Sequence, residues 1–301
     1  MRKPNILLIG DAMLDVAHHG TVTRVSPEAP LPVLDVQRTA YYAGGAANVA
    51  RNLEAMGADV TFLYNFGEDE EGRILRGLIG GKSRTSHERA ESKTTVKTRG
   101  FCGKTQVFRH DRNYTLSREE QREVVGVVLE ELQESKFDAV ALSDYGRGML
   151  GCAQEIIKLL PPVPIYVDPK GDDWSRYAGA TLIKANASEM ARELEYQRTD
   201  MSGLAAVLKV RSVLETRGPD GVRWCVRDGS ILQRKCPRVV GGDPTGAGDT
   251  FFAQLVYSLT SGWDIIHSVY RAQIAASIAV ERAGTSVVTR FELNHVLEND
   301  K

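Results

Sequence analysis

The chain reads as an α/β fold built on a mainly parallel sheet covered by helices. Three observations predict it. Short apolar strands alternate with helical stretches along the sequence. Polar groups recur where those strands end, at Gly10-Asp11, Ser143-Asp144, Asp168-Pro169-Lys170 and Asn186, and ligands on such sheets gather at the carboxyl ends of strands. A glycine-rich loop, Gly241–Thr250, runs straight into the apolar helical run Phe251–Val256.

The elements follow in order. Asn5–Ile9 reads as a buried strand, because Ile6–Ile9 is an unbroken apolar run. Ala46–Met56 follows a double glycine and is closed by Gly57, so it reads as a helix. Asp59–Asn65 is the next strand and Glu70–Ile79 the next helix. The helical stretches Ser117–Ser135 and Cys152–Leu160 separate the short strands Phe137–Leu142, Ile165–Asp168 and Thr181–Ile183. Phe291–Lys301 reads as a short polar helix. Two segments break the alternation. Pro32–Arg38 and Lys93–Asp111 are rich in Thr, Val and Phe, and Gly103-Lys104 suits a hairpin turn. They read as strands of a small β lid inserted into one domain spanning residues 1–301, and a lid suits chemistry that must exclude water.

Composition narrows the function classes. The chain has 301 residues, 42% hydrophobic and 26% charged, an ordinary globular balance. A net charge of −1 offers no basic field for nucleic acid or an anionic membrane. The longest apolar runs fall far short of the roughly 20 residues that a membrane helix needs. No apolar segment of a secretion signal follows Met1-Arg2-Lys3-Pro4-Asn5. Cys102, Cys152, Cys225 and Cys236 are widely spaced, with no C-x-x-C, so reduced thiols in a cytoplasm are expected. His18 and His19 are adjacent, share no face and read as rim residues rather than a metal pair.

The loop Gly241-Gly242-Asp243-Pro244-Thr245-Gly246-Ala247-Gly248-Asp249-Thr250 carries the chemistry. A backbone without bulky side chains can approach a phosphate, and the helix behind it adds free N–H groups and the positive end of its dipole. An aspartate there is badly placed beside a polyphosphate unless it serves as a base aimed at an attacking hydroxyl. The loop therefore reads as phosphoryl transfer, without the G-x-x-x-x-G-K-[ST] pattern. A capped turn is the competing reading of the loop alone.

Gly44-Gly45-Ala46-Ala47-Asn48-Val49-Ala50 and the Asp243–Asp249 loop resemble, in that order, the two signatures of the ribokinase-like (PfkB) carbohydrate kinases. Ser26–Val33, Ser143-Asp144-Tyr145, Asp168-Pro169-Lys170-Gly171 and Asn186-Ala187-Ser188-Glu189 are similar to the D-glycero-β-D-manno-heptose 7-phosphate kinases within that family. The resemblance covers nearly the whole chain. It implies a three-layer α/β/α fold, use of ATP and Mg²⁺, and transfer to the anomeric hydroxyl of a small-molecule sugar phosphate. It also implies a homodimer that covers the open edge of the lid. In many bacteria such a kinase is fused to a C-terminal nucleotidyltransferase, and only the kinase part is expected in this chain.

The resemblance assigns roles position by position. Asp249 is the expected general base, with the N–H groups of Gly246, Ala247 and Gly248 stabilising the transferring phosphoryl group. Asn186 and Glu189 fit the N-x-x-E element that serves Mg²⁺ through water and the nucleotide phosphates, and the same residues fit a helix capping box. Thr216, Gly218 and Gly221 fit a nucleotide loop or a plain hairpin turn. Gln273 lies on a helix expected to flank the adenine. Asp243 either reaches the metal through water or closes its own turn. Pro244 stands where the family has Thr or Val and removes an N–H. Asp11, Asp15, Gly44, Gly45 and Asn48 are expected around the sugar, with Asp15 otherwise a cap. The substrate phosphate needs a cation, and Lys170 ranks first, ahead of Arg147, Arg109 and Arg24. Ile79–Ser92 is compressed and polar, which sets this chain apart from the enzymes it resembles.

The first alternative is another ribokinase-like kinase with a different sugar or nucleoside as acceptor; the second, a non-catalytic sugar-phosphate-binding regulator, would have no use for Asp249 and its loop. A dinucleotide-binding dehydrogenase would need the G-x-G-x-x-G spacing, which is missing.

Overall fold

In chain order the strands are β1 (Asn5–Gly10), β2 (Ala12–Val25), β3 (Pro32–Gly45), β4 (Asp59–Tyr64), β5 (Lys82–Thr85), β6 (Val96–Cys102), β7 (Thr105–Arg112), β8 (Ala139–Ser143), β9 (Ile165–Asp168), β10 (Leu182–Asn186), β11 (Ser212–Thr216), β12 (Val222–Val226) and β13 (Ile231–Arg234). The helices are α1 (Ala46–Met56), α2 (Glu70–Ile79), α3 (Arg118–Glu134), α4 (Ala153–Leu159), α5 (Ala187–Gln197), α6 (Met201–Val207), α7 (Ala247–Thr260), α8 (Ile265–Val280) and α9 (Arg290–Asn299). The computed structural model describes residues 3–80, 82–85, 92–237 and 241–299.

Nine strands form the main sheet, in the order β13-β12-β11-β10-β9-β8-β1-β4-β5. From β5 to β11 every pairing is parallel, and β12 and β13 add an antiparallel edge. The two-residue period of a strand sorts its side chains into two cores. Ile6 and Leu8 of β1 join Leu53 of α1 and Phe252 and Leu255 of α7 on one face. Leu7 and Ile9 join Val124 and Val128 of α3 and Ile156 of α4 on the other. Burial on both faces is why β1 shows no alternation, and the arrangement is three layers, α/β/α.

Local signals place most element ends. Gly57 ends α1 in the left-handed conformation, and Ser117 opens α3 with a capping box to Glu120. The helices expected at Ala46–Met56 and Glu70–Ile79 have those bounds. The strand expected at Thr181–Ile183 runs on to Asn186.

A second sheet has the order β3-β2-β6-β7. Strands were expected near 32–38 and 93–111. The first continues to Gly45, and the second is β6 and β7 joined at Gly103-Lys104, where Gly103 has φ 60°. The strand β2 was not anticipated. Its first five residues, Ala12–Val16, are all buried, so no polar alternation marks them, and Asp15 reads locally like a cap. His18 and His19 lie on this strand, His18 against the Thr39 hydroxyl and His19 stacked on Phe101. Of Ile79–Ser92, residue 81 and residues 86–91 lie outside the described residues. Among the described residues no helix is long and apolar enough to cross a membrane.

Candidate active site

The carboxyl ends of β1, β8, β9 and β10 meet the N-terminus of α7, and Asp249 stands in the first turn of that helix, 5% exposed. Its Oδ2 accepts a hydrogen bond from Asn48 Nδ2 at 3.1 Å. Its Oδ1 accepts one from the Tyr145 hydroxyl. Asn48 sits in the first turn of α1, so the two signature segments close on each other. Asn52, one turn further along α1, donates to both Asn48 oxygens and accepts from the Val288 N–H. Burial raises the Asp249 carboxyl above its ordinary value, while the Tyr145 and Asn48 hydrogen bonds and the Lys184 charge pull it back. Such a carboxylate is a better base than an exposed one yet stays ionisable.

Gly246 caps α7 at φ 77°, and a Cβ there would lie 2.7 Å from Asn48 Nδ2, so no other residue fits. Asp243 shapes the loop from outside: its Oδ1 accepts from Thr245 N–H and its Oδ2 from Gly284 N–H. Burial opposes its ionisation, but these donors hold its carboxyl below the usual range. Of the two readings of Asp243, the structure has the closed turn. Pro244 closes the turn as well, because its carbonyl takes the Ala247 N–H at 3.1 Å. Three loop donors were expected at Gly246, Ala247 and Gly248. Ala247 is consumed within the loop. The N–H groups of Gly246 and Gly248 have no partner among the described residues.

A cation missed in the sequence reading stands beneath the loop. Lys184 of β10 is buried, 2.8 Å from Asp168 Oδ2 and 3.5 Å from the Gly248 carbonyl. Its signal was position: two residues before Asn186, on the same face of the strand. Burial pushes the Asp168 carboxyl up to about 6, against the pull of Lys184. Asn186 and Glu189 form the capping box of α5, with Asn186 Oδ1 taking the Glu189 N–H at 2.9 Å. Glu189 Oε1 is paired with Lys170 Nζ at 2.8 Å. Lys170, ranked first for the substrate phosphate, here pairs with the N-x-x-E carboxylate. Among the described residues no group of three His, Cys, Asp or Glu side chains could hold a metal. A single carboxylate beside polyphosphate suits Mg²⁺, which keeps most of its water.

On the far side of the loop, Thr216, Gly218, Gly221 and Gln273 line one cavity of about 380 Å³. Apart from Ser277 its walls are otherwise apolar or backbone, with Val222 and Phe251 among them. Gly221 has φ 91°, and a Cβ there would strike the Arg234 carbonyl at 2.0 Å. The Thr216–Gly221 segment is also the turn between the antiparallel strands β11 and β12, as the hairpin reading expected. Gln273 Nε2 donates to the Lys235 carbonyl, and its Oε1 is buried without a partner among the described residues.

The opposite side is lined by the second sheet. Asp15 lies on β2, its Oδ1 2.9 Å from Arg99 Nη1 and its position opposite Lys97. Gly44 lets that carboxylate approach, since a Cβ would sit 2.2 Å from Asp15 Oδ2. Gly45 caps α1 at φ 60°. Arg109 of β7 grips Asp111 through Nε and Nη2, at 2.8 and 2.7 Å. Lys97 and Arg99 escaped the sequence reading because they look like the polar face of a strand. Asp11 is a correction. Its carboxylate is fully enclosed and takes three backbone donors, Tyr145 and Arg147 at 2.9 Å and Met149 at 3.0 Å. It anchors the turn after β8 and does not open onto the cleft.

The profile of the pfkB family carbohydrate kinases matches residues 3–290. The bifunctional protein HldE of Hydrogenovibrio crunogenus is 35% identical over 98% of this chain and 63% of its own length. The protein of the same name from Paramagnetospirillum magneticum is 36% identical over 97% and 63%. The chain thus spans less than two thirds of these relatives. Escherichia coli phosphofructokinase-2 in complex with substrates and products superposes with a TM-score of 0.80 at 20% identity, over 98% of this chain and 99% of the other. Arabidopsis thaliana ribokinase complexed with ribose and ATP superposes with 0.74 at 19%, over 99% of each. These structures show that the fold is ribokinase-like.

Proposed function

The chain belongs to the pfkB family of carbohydrate kinases and is an ATP-dependent sugar kinase, and we propose that its acceptor is the anomeric hydroxyl of D-glycero-β-D-manno-heptose 7-phosphate. The product would be the 1,7-bisphosphate, a step toward ADP-heptose for lipopolysaccharide. The observation that carries the catalytic part is Asp249, buried at a helix N-terminus beside Lys184 and two loop N–H groups that have no partner among the described residues. The acceptor rests on the heptose-kinase motifs and on the similarity to the HldE proteins.

In this reading Asp249 takes the proton of the attacking hydroxyl as the new P–O bond forms. The N–H groups of Gly246 and Gly248, with Lys184, meet the charge on the transferring phosphoryl oxygens. ATP would supply the phosphoryl group and leave as ADP, and bound Mg²⁺ would neutralise part of the phosphate charge. Glu189 and Asn186 would hold the hydrated Mg²⁺ and the nucleotide phosphates, and the apolar cavity beside Gln273 would take the base. Asp15, with Gly44 and Asn48 around it, would bind the sugar hydroxyls. The phosphate end of the sugar would lie toward the cations of the second sheet, Lys97, Arg99 and Arg109. Val36, Tyr41 and Phe108 of that sheet are exposed and would be covered in a homodimer. The four free thiols suit the cytoplasm.

An ADP-release assay across phosphorylated and free sugars tests the proposal. Heptose 7-phosphate should be preferred by kcat/KM, and Asp249→Asn should lose about 10²–10⁴-fold in turnover while keeping its fold by circular dichroism. A free sugar used equally well would refute the acceptor, and near-normal turnover of Asp249→Asn would refute the base.

A further inference from the structure

We propose that Tyr145 is a positioning residue for the base, its phenol fixing the orientation and charge state in which the Asp249 carboxylate takes the acceptor's proton. The inference rests on the reading of Asp249 as that base.

Tyr145 is built in rather than draped over the site. Its N–H donates to Asp11, whose buried carboxylate also takes the Arg147 and Met149 N–H groups, so one side chain pins the whole turn. Its ring is held between the α1 entry and β6. A Cβ on Gly45 would lie 3.4 Å from Tyr145 Cδ2, and Lys97 Nζ stands 5.5 Å from the ring centroid. From this fixed ring the hydroxyl donates to Asp249 Oδ1, while Asn48 donates to Oδ2.

Two donors from two rigid elements set the plane of the carboxylate. An ionised carboxyl has about four acceptor sites, so each oxygen keeps room for a substrate hydroxyl. A neutral donor stabilises the ionised form that burial disfavours. The charged groups facing this pair are Lys184 from β10, Asp168 from β9, Asp15 from β2 and Lys97 from β6. Burial and the Asp249 charge push the phenol well above its ordinary range, so it remains a donor wherever the enzyme works.

The test is Tyr145→Phe, which keeps the ring and removes the donor. Loss of the donor raises the Asp249 pKa, so the acid limb of kcat/KM should move up by about one pH unit. The effect should fall on kcat rather than on the sugar KM. Carbon-13 NMR of labelled aspartate, with the Asp249 signal identified by its loss in Asp249→Asn, should show the same upward shift without any substrate. Tyr177→Phe is the structural control. Tyr177 is fully buried and donates to Asp144 at 2.5 Å, away from Asp249, and its loss should leave the limb in place. An unmoved limb and an unmoved Asp249 titration in Tyr145→Phe would overturn the proposal, as would an equal shift in Tyr177→Phe. If the wild type phosphorylated no sugar, the kinase reading would fail separately, and the NMR titration would still decide whether Tyr145 controls Asp249.

Discussion

Asn48 and Asp249 are separated by 201 residues in the chain and by 3.1 Å in space. The contact joins the first turns of α1 and α7, and through Asn52 it reaches the segment around Val288. It makes the two glycine-rich signatures one structure, because Gly246 can approach only where Asn48 leaves room.

Asn48→Ala should therefore damage both stability and catalysis. It leaves the buried Asp249 Oδ2 without its Asn48 donor and takes one acceptor from Asn52, at a cost of about 1–3 kcal/mol. A misplaced base should lose on the order of 100-fold in kcat. Urea unfolding and steady-state kinetics measure the two effects. Full activity in a destabilised variant would mean that Asn48 serves packing alone.

Lys170→Ala separates the nucleotide side from the sugar side. Lys170 pairs with Glu189, so its removal should change the KM for Mg-ATP several-fold and leave the KM for the sugar phosphate within about twofold. A selective loss of affinity for phosphorylated over free sugars would return Lys170 to the substrate phosphate.

The buried carboxylates predict a pH dependence of stability. Asp168 is pushed up to about 6 from an ordinary 3.8, chiefly by burial. A raised carboxyl binds its proton more tightly in the folded state. Its contribution is therefore full below about 4 and is lost as pH rises through about 6. Asp168→Asn removes that contribution. The stability of the wild type relative to the variant should grow by on the order of 1–3 kcal/mol between pH 7 and pH 4.5. Denaturant melts at those two pH values read the difference, and a constant difference would show that Lys184 keeps Asp168 fully ionised.

Local chemistry made much of this molecule legible. Apolar periodicity and glycine stops placed α1, α2 and β9, and the loop before α7 announced phosphate chemistry through its lack of side chains and the helix behind it. These features depend on neighbours within a few residues, where chain geometry alone decides what can form. What only the tertiary structure decided is which partner each polar group meets. Asp11 and Asp15 look alike in sequence, yet one is sealed by three N–H groups from the turn after β8 while the other faces the Arg99 guanidinium across the second sheet. Lys170 turns to Glu189, and the unremarked Lys184 lies under the loop. A carboxylate or an ammonium has no role until desolvation and a donor or counter-charge assign one, and here those come from strands and helices far away in the chain.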